Sequence, residues 1–183
     1  VYGIIQFVTM RCYEQIKFNL SGMNLPVTII GVGTGFSFAF DGPSHHGIHD
    51  IAIMSQIPNM TILNPIDEYS TKMAYHISKT SNCPSYVRLD KGVFENIYNE
   101  NDVCSYKYIN GGESNVENDI LVLTTGYTSH LAMKCTYAHP NINIVDIYKL
   151  KPFEFNIPSH IKKILVFEEN CNGLSSIINN KLI

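Results

Sequence analysis

The chain has 183 residues, enough for one ordinary domain or two small ones. Hydrophobic residues make up 45%, the level of a protein with a real core, and charged residues only 16%, so Asn, Ser and Thr supply much of the polar surface. A formal net charge of −3 argues against a nucleic-acid or membrane-surface binder, because both need a basic face.

From the N-terminus, Ile4 to Leu20 has helical spacing, with Ile4, Val8, Cys12 and Ile16 on one stripe. Leu25 to Ile30 reads as a buried strand ending at Gly31 and Gly33, and a loop follows to Pro43. Ser44 is placed to cap a short helix through about Ser55. Met60 to Leu63 is a strand stopped by Asn64-Pro65, and Asp67 is a good N-cap for a helix to about Lys79. Ser85 to Leu89 is the next strand. Val93 to Asn118 is rich in Asn, Glu, Gly and Tyr and reads as a linker with room for an edge hairpin. Beyond it, Ile120–Thr124, Ile142–Ile147 and Ile164–Phe167 read as strands, and Ser129–Thr136 and Ser175–Lys181 as helices. Strand–helix alternation throughout implies an α/β fold with mostly parallel sheets flanked by helices. The expected division is 1–97 for a first domain, 98–118 for a linker and 119–183 for a smaller, incomplete α/β domain.

Five cysteines at 12, 83, 104, 135 and 171 are odd in number, widely spaced and without a C-x-x-C pair, which suits a reducing, cytoplasmic compartment. No apolar run is long enough to cross a bilayer, and no signal peptide is visible. The chain starts at Val1 rather than Met and ends within a helical pattern, so the expectation is a segment of something longer. An organellar address could have been lost with the N-terminus.

In α/β folds the chemistry sits at the carboxyl ends of the strands. There the densest cluster is Asp41-Gly42-Pro43-Ser44-His45-His46-Gly47-Ile48-His49-Asp50, with three histidines and two aspartates in ten residues. Three readings compete. One is a polar turn whose histidines make local hydrogen bonds. Another is a metal site, since His45 and His49 stand four apart and Asp41 or Asp50 could complete the set, although the H-E-x-x-H glutamate and any nearby Cys are absent. The last is recognition of a polyhydroxylated or carbonyl substrate, in which imidazoles donate to a developing oxyanion and a carboxylate accepts from hydroxyls. Gly31-Val32-Gly33-Thr34-Gly35 has Phe36 where a dinucleotide loop needs its third glycine; these glycines instead suit a tight turn and close backbone approach.

Several stretches resemble transketolases and deoxyxylulose-phosphate synthases. Phe7 to Ile16 is similar to the family's aromatic-then-Arg-x-Tyr-Asp/Glu-Gln-Ile helix, and Asp41 to Ala52 to its D-G-P-T-H-x-x-x-x-D-I-A loop. Ile57-Pro58-Asn59-Met60 through Pro65-Ile66-Asp67-Glu68 resembles the segment that follows. Val145 to Phe153 and Val166-Phe167-Glu168-Glu169-Asn170 resemble the C-terminal domain. The resemblance implies a pyrimidine-binding domain followed by part of a C-terminal domain, working with thiamine diphosphate and Mg²⁺. It places Phe7, or Val8 on the equivalent turn, as the group that stacks on the aminopyrimidine ring, with Arg11 nearby. It casts His45 as the contact to the substrate's oxygen functions and Asp41 as the reader of a donor-sugar hydroxyl. Lys91 stands where the family places an arginine for the sugar phosphate, and Arg88 on the preceding strand is an alternative phosphate ligand or a structural ion pair.

The family's catalytic glutamate lies upstream of the stacking aromatic, and its G-D-G…N motif for diphosphate and Mg²⁺ belongs to a separate pyrophosphate-binding domain or subunit. The resemblance therefore implies that this chain needs that partner, in a homo- or heterodimer, to act on phosphorylated sugars or keto acids. The competing expectations are a non-catalytic scaffold or regulatory subunit and a zinc hydrolase built on His45, His46 and His49.

Overall fold

Two open sheets, each flanked by short helices, are seen in the computed structural model, which describes residues 2–112, 118–136 and 142–182. The first sheet contains β1 (Tyr2–Ile5), β2 (Thr28–Val32), β3 (Thr61–Leu63) and β4 (Ser85–Leu89) in the order β1-β2-β4-β3. All of these pairings are parallel, so the carboxyl ends of the four strands lie along one edge. The second sheet is built from β5 (Tyr106–Asn110), β6 (Ile120–Thr124), β7 (Asn143–Ile147) and β9 (Lys163–Phe167), ordered β5-β7-β6-β9, with β5 antiparallel. A three-residue strand, β8 (Lys149–Lys151), leaves the second half and pairs antiparallel with β3, closing the far side of the first sheet. The α/β class and the mixed, mostly parallel sheets agree with the sequence reading.

The expected helix from Ile4 to Leu20 is the largest correction. Ile4 and Ile5 lie in β1, where Ile4 pairs with Gly31. The apolar spacing of the stripe does not distinguish helix from strand over its first four residues, and β-branched Ile favours the pleated edge. After Gln6 the chain turns into α1 (Val8–Arg11), α2 (Tyr13–Gln15) and a π-helical stretch, Ile16–Ser21. Val8 and Ile16 are buried as the stripe requires, while Cys12 is exposed. The helix expected from Ser44 begins only at α3 (Asp50–Ser55). Gly42 at φ 81° and a two-way bridge between Gly35 and Gly47 hold residues 42–49 out of helical geometry.

Helix α4 (Glu68–Thr80) starts as the sequence suggests. Asp67 accepts from the Ser70 amide at 2.8 Å, and the Ser70 hydroxyl oxygen accepts from the Asp67 amide at 3.0 Å. The other Asp67 oxygen accepts from the amides of Ile97 and Tyr98 at 2.6 and 2.7 Å. The Tyr98 hydroxyl in turn donates at 2.6 Å to Asp146 on β7, which also accepts from Ser129. Residues 97–98 therefore strap the first sheet's helix to the second sheet. β5 lies within the stretch expected as a linker, as an edge strand rather than a hairpin; residues 113–117 of that stretch lie outside the described residues.

One apolar cluster runs through both halves. Val8, Ile51, Met54, Ile62 and Tyr86 of the first pack with Leu121, Val145, Leu150 and Phe155 of the second. Leu150 explains β8: it is fully buried between two lysines. Lys151 Nζ donates to the Ser55 and Ile57 carbonyls at 2.8 and 2.6 Å, at the carboxyl end of α3, where a cation is favoured. Among the described residues no helix is long and apolar enough to cross a membrane.

Asp146 is fully buried, and burial pushes its pKa up to about 7, against the lowering effect of its hydroxyl donors and with some help from Asp67. The folded protein thus holds a proton that the unfolded chain releases near pH 4. Stability from this site is present below the unfolded value and is lost as pH rises from about 4 through about 7. His130 tilts the curve the other way, because burial lowers its pKa. The Asp146→Asn variant is expected to remove the Asp146 slope alone. The difference between wild-type and variant urea-unfolding free energies should therefore change by on the order of a few kcal/mol between pH 4 and 7 and be flat above it.

Candidate active site

Three loops meet at the carboxyl edge of the first sheet: residues 6–7 after β1, 33–49 after β2 and 90–92 after β4. A buried ion pair fixes their relation. Asp50, 2% exposed at the start of α3, accepts from Arg88 Nε at 2.8 Å and from the Tyr86 hydroxyl at 2.8 Å, both on β4. Its second oxygen accepts from Asn170 of the second half at 2.7 Å. Arg88 Nη2 donates to the Gly47 carbonyl at 2.7 Å, so one guanidinium holds both the loop and the helix that follows it. Burial opposes the charge on Arg88 most strongly, but the adjacent Asp50 carboxylate, together with Tyr86 and Glu169, outweighs it and raises the pKa. Burial, then the Asp50 charge, pushes the Tyr86 hydroxyl well above its ordinary value.

A second carboxylate closes the mouth. Asp90 accepts from Thr34 Oγ1 at 2.6 Å, Ser37 Oγ at 2.9 Å and the Lys91 amide at 2.6 Å, tying the turn after β2 to the loop after β4. From the second half, Glu169 accepts from the Phe36 amide at 3.2 Å. Gly33, at φ 86°, leaves space that the Phe38 ring fills. Gly33 thus admits a side chain rather than a neighbouring backbone, whereas Gly35 meets the backbone of Gly47 directly.

On this frame the candidate residues form a line of ring contacts. Lys91 Nζ sits 4.5 Å from the Phe38 ring centre. Phe38 lies 6.4 Å from the His45 ring, which meets the Phe7 ring edge-on at 5.8 Å. The Arg11 guanidinium covers the Phe7 ring at 4.1 Å. Lys91, His45, Phe7 and Arg11 are therefore brought together, with Arg11 and Lys91 exposed at the two ends. Asp41 is exposed at the end of a 3₁₀ turn, Ala39–Asp41, four residues before His45. Val8, the alternative to Phe7, is buried in the core. Arg88 is committed to Asp50 and Gly47 and is 3% exposed, the structural ion pair among its two expected roles.

The three histidines do not converge. His45 Nδ1 pairs with Ser44 Oγ at 3.0 Å, His46 Nε2 lies 3.3 Å from the Ala39 carbonyl with its ring against Phe36, and His49 is exposed at the start of α3. Among the described residues no group of three His, Cys, Asp or Glu side chains could hold a metal ion. This geometry gives no support to the zinc arrangement. The five cysteines are free.

The sequence profile described as "Transketolase, pyrimidine binding domain" matches residues 3–95. The chain belongs to this family. Among its relatives, a subunit of the apulose-4-phosphate transketolase of Phocaeicola vulgatus is 28% identical over 97% of this chain and 60% of its own length. The 1-deoxy-D-xylulose-5-phosphate synthase of Desulfotalea psychrophila is 28% identical over 97% of this chain and 30% of its own length. A solved structure of a split-gene transketolase, described as an inactive beta4 tetramer, superposes with a TM-score of 0.82 at 20% identity, over 98% of this chain and 60% of its own. The chain thus spans less than two thirds of the length of these relatives. Membership of this family implies dependence on thiamine diphosphate.

Sequence reasoning missed Gln6, Tyr86, Asp90 and Asn170. For Asp50 and Arg88 the signal was present: an arginine inside an apolar strand requires a buried partner. Arg88→Met is expected to cost about 3–5 kcal/mol of unfolding free energy, because it strands the Asp50 charge. Lys91→Ala should stay within about 0.5 kcal/mol. Urea denaturation of the two variants checks the contrast.

Proposed function

We propose that this chain is part of a thiamine diphosphate-dependent transferase of the transketolase or 1-deoxyxylulose-5-phosphate synthase type, moving a two-carbon ketol or acyl unit between sugar phosphates or keto acids. In this reading residues 1–97 are the pyrimidine-binding domain, 98–118 the connection and 119–183 part of the C-terminal domain. The observation that carries it is the line of contacts from Lys91 through His45 to Phe7 and Arg11, along the carboxyl edge of a sheet matched by the family profile.

The residues present suit the cofactor. Phe7 offers a ring beside a cavity, and the neighbouring Gln6 side chain is buried with both amide atoms unpartnered, a match for a polar heterocycle. Phe7 and Arg11 would hold the aminopyrimidine end. Bound thiamine diphosphate supplies carbanion chemistry; the protein supplies orientation and proton handling. His45 would donate to the substrate's carbonyl oxygen as charge develops there, and Asp41 would accept from a donor hydroxyl. Lys91 would meet the substrate phosphate as a point charge. Arg88, spent on Asp50, would act by holding the 42–49 loop in register.

The diphosphate and Mg²⁺ would be held mainly by a pyrophosphate-binding domain or subunit. Two relatives support such a partner: the Phocaeicola protein is one subunit of its transketolase, and the split-gene transketolase is inactive as a beta4 tetramer. The test is ketol transfer by this chain combined with a pyrophosphate-domain chain from the same source, thiamine diphosphate and Mg²⁺. Transfer is expected, and His45→Ala should lower kcat/KM about 10²–10⁴-fold. Lys91→Ala should raise KM for phosphorylated acceptors and leave unphosphorylated ones nearly unchanged. A complex that transfers no two-carbon unit would overturn the reading.

A further inference from the structure

Gln6 stands at the turn between β1 and α1, and its side chain is 2% exposed. Neither Nε2 nor Oε1 has a hydrogen-bond partner. Buried amides are normally satisfied, and one left unmet forfeits the hydration it had in the unfolded chain. The main chain here is held: the Gln6 carbonyl accepts from the Thr9 hydroxyl at 2.9 Å and from the Thr9 amide at 3.0 Å. Room for the side chain comes from Gly47, where a Cβ would overlap Oε1. Gln6 is one of the residues that line a cavity of about 170 Å³, together with Phe7, Arg11, Ser44, His46 and His49.

A planar amide shows a donor and an acceptor side by side, and its complement is a flat group with an acceptor and a donor adjacent in the same plane. An exocyclic amino group on the carbon beside a ring nitrogen is such an edge; Asn and Gln read a comparable amino–nitrogen pair, N6 and N7, on adenine. The Phe7 ring on the same cavity suits a flat heterocycle. We propose that the Gln6 amide pairs with the amino edge of the aminopyrimidine ring of thiamine diphosphate, as a specificity-determining contact. This rests on the cofactor reading given above.

The probe is 4-amino-5-hydroxymethyl-2-methylpyrimidine, titrated into the ¹⁵N-labelled chain beside its analogue lacking the 4-amino group. Binding should shift the Gln6 side-chain NH₂ resonances as well as the amides of Phe7 and Arg11. The analogue should bind about tenfold more weakly, the loss of about one good hydrogen bond. Gln6→Met should bind both compounds equally, at the weaker level. If Phe7 and Arg11 respond but the Gln6 amide does not, or if wild type binds both compounds equally, the Gln6 proposal falls and the cofactor reading stands; a buried water then meets the amide. If neither compound moves Phe7 or Arg11, both fall. Should Gln6→Met fail to fold, the wild-type comparison of the two compounds decides alone.

Discussion

The Asp50–Arg88 pair is the interaction on which the rest of the site depends. Burying both charges is costly, and such a pair persists only where its remaining hydrogen-bonding capacity is met. Here the carboxylate receives Arg88, Tyr86 and Asn170, and the guanidinium also reaches the Gly47 carbonyl. These groups come from four places: β4, the loop after β2, the start of α3 and the second half of the chain. The pair thus converts the position of β4, fixed by its central place in the sheet, into the position of the loop that bears Asp41 and His45. The loop of residues 33–49 holds four glycines and a proline and has only a 3₁₀ turn and the Gly35–Gly47 bridge as regular structure, so an anchor of this kind makes its geometry definite.

A second set of contacts makes the two sheets one structure. β8 lends the first sheet a strand from the second half, and Leu150 fills the shared core. Asn64 reaches across to Thr125 at 2.9 Å, and its backbone amide donates to the Tyr148 carbonyl at 2.7 Å. Residues 97–98 carry the strap from Asp67 to Asp146. Asn170 and Glu169 then bring the second half to the back and the rim of the candidate site. The site is therefore a product of both halves, although its candidate ligands all lie in the first.

Much of this was legible in the sequence, and the exceptions have a common cause. The strands Ser85–Leu89 and Ile120–Thr124 match their expected bounds to the residue, because short apolar runs between turn residues have few alternatives. The capping of α4 by Asp67 was equally plain, since a cap is a local interaction. What escaped was decided by distant partners. Ile4 and Ile5 become strand because β2 offers an open edge. Lys149-Leu150-Lys151 becomes strand because β3 does, although two lysines in three residues suggest a loop. At the site, the D-G-P-S-H stretch identified the loop and its histidine, whereas nothing local marked Asp90 or Asn170 as its anchors.

The division of the cations is itself informative. Arg88, whose fork could grip a phosphate with two parallel bonds, is buried and already bonded to Asp50 and Gly47. The exposed cation of the neighbouring loop, Lys91, lies over Phe38 and presents a compact charge on a flexible stem. On the proposed reading, the rigid fork is spent on holding the loop, and the substrate phosphate meets a partner that imposes charge but little direction. Orientation must then come from elsewhere in the site: from His45, braced between Phe7 and Phe38, and from the hydroxyl contact assigned to Asp41. On that reading the site would discriminate among substrates by the placement of the oxygen that His45 would meet more than by the geometry of the phosphate, because His45 is braced between two rings whereas Lys91 ends a flexible stem.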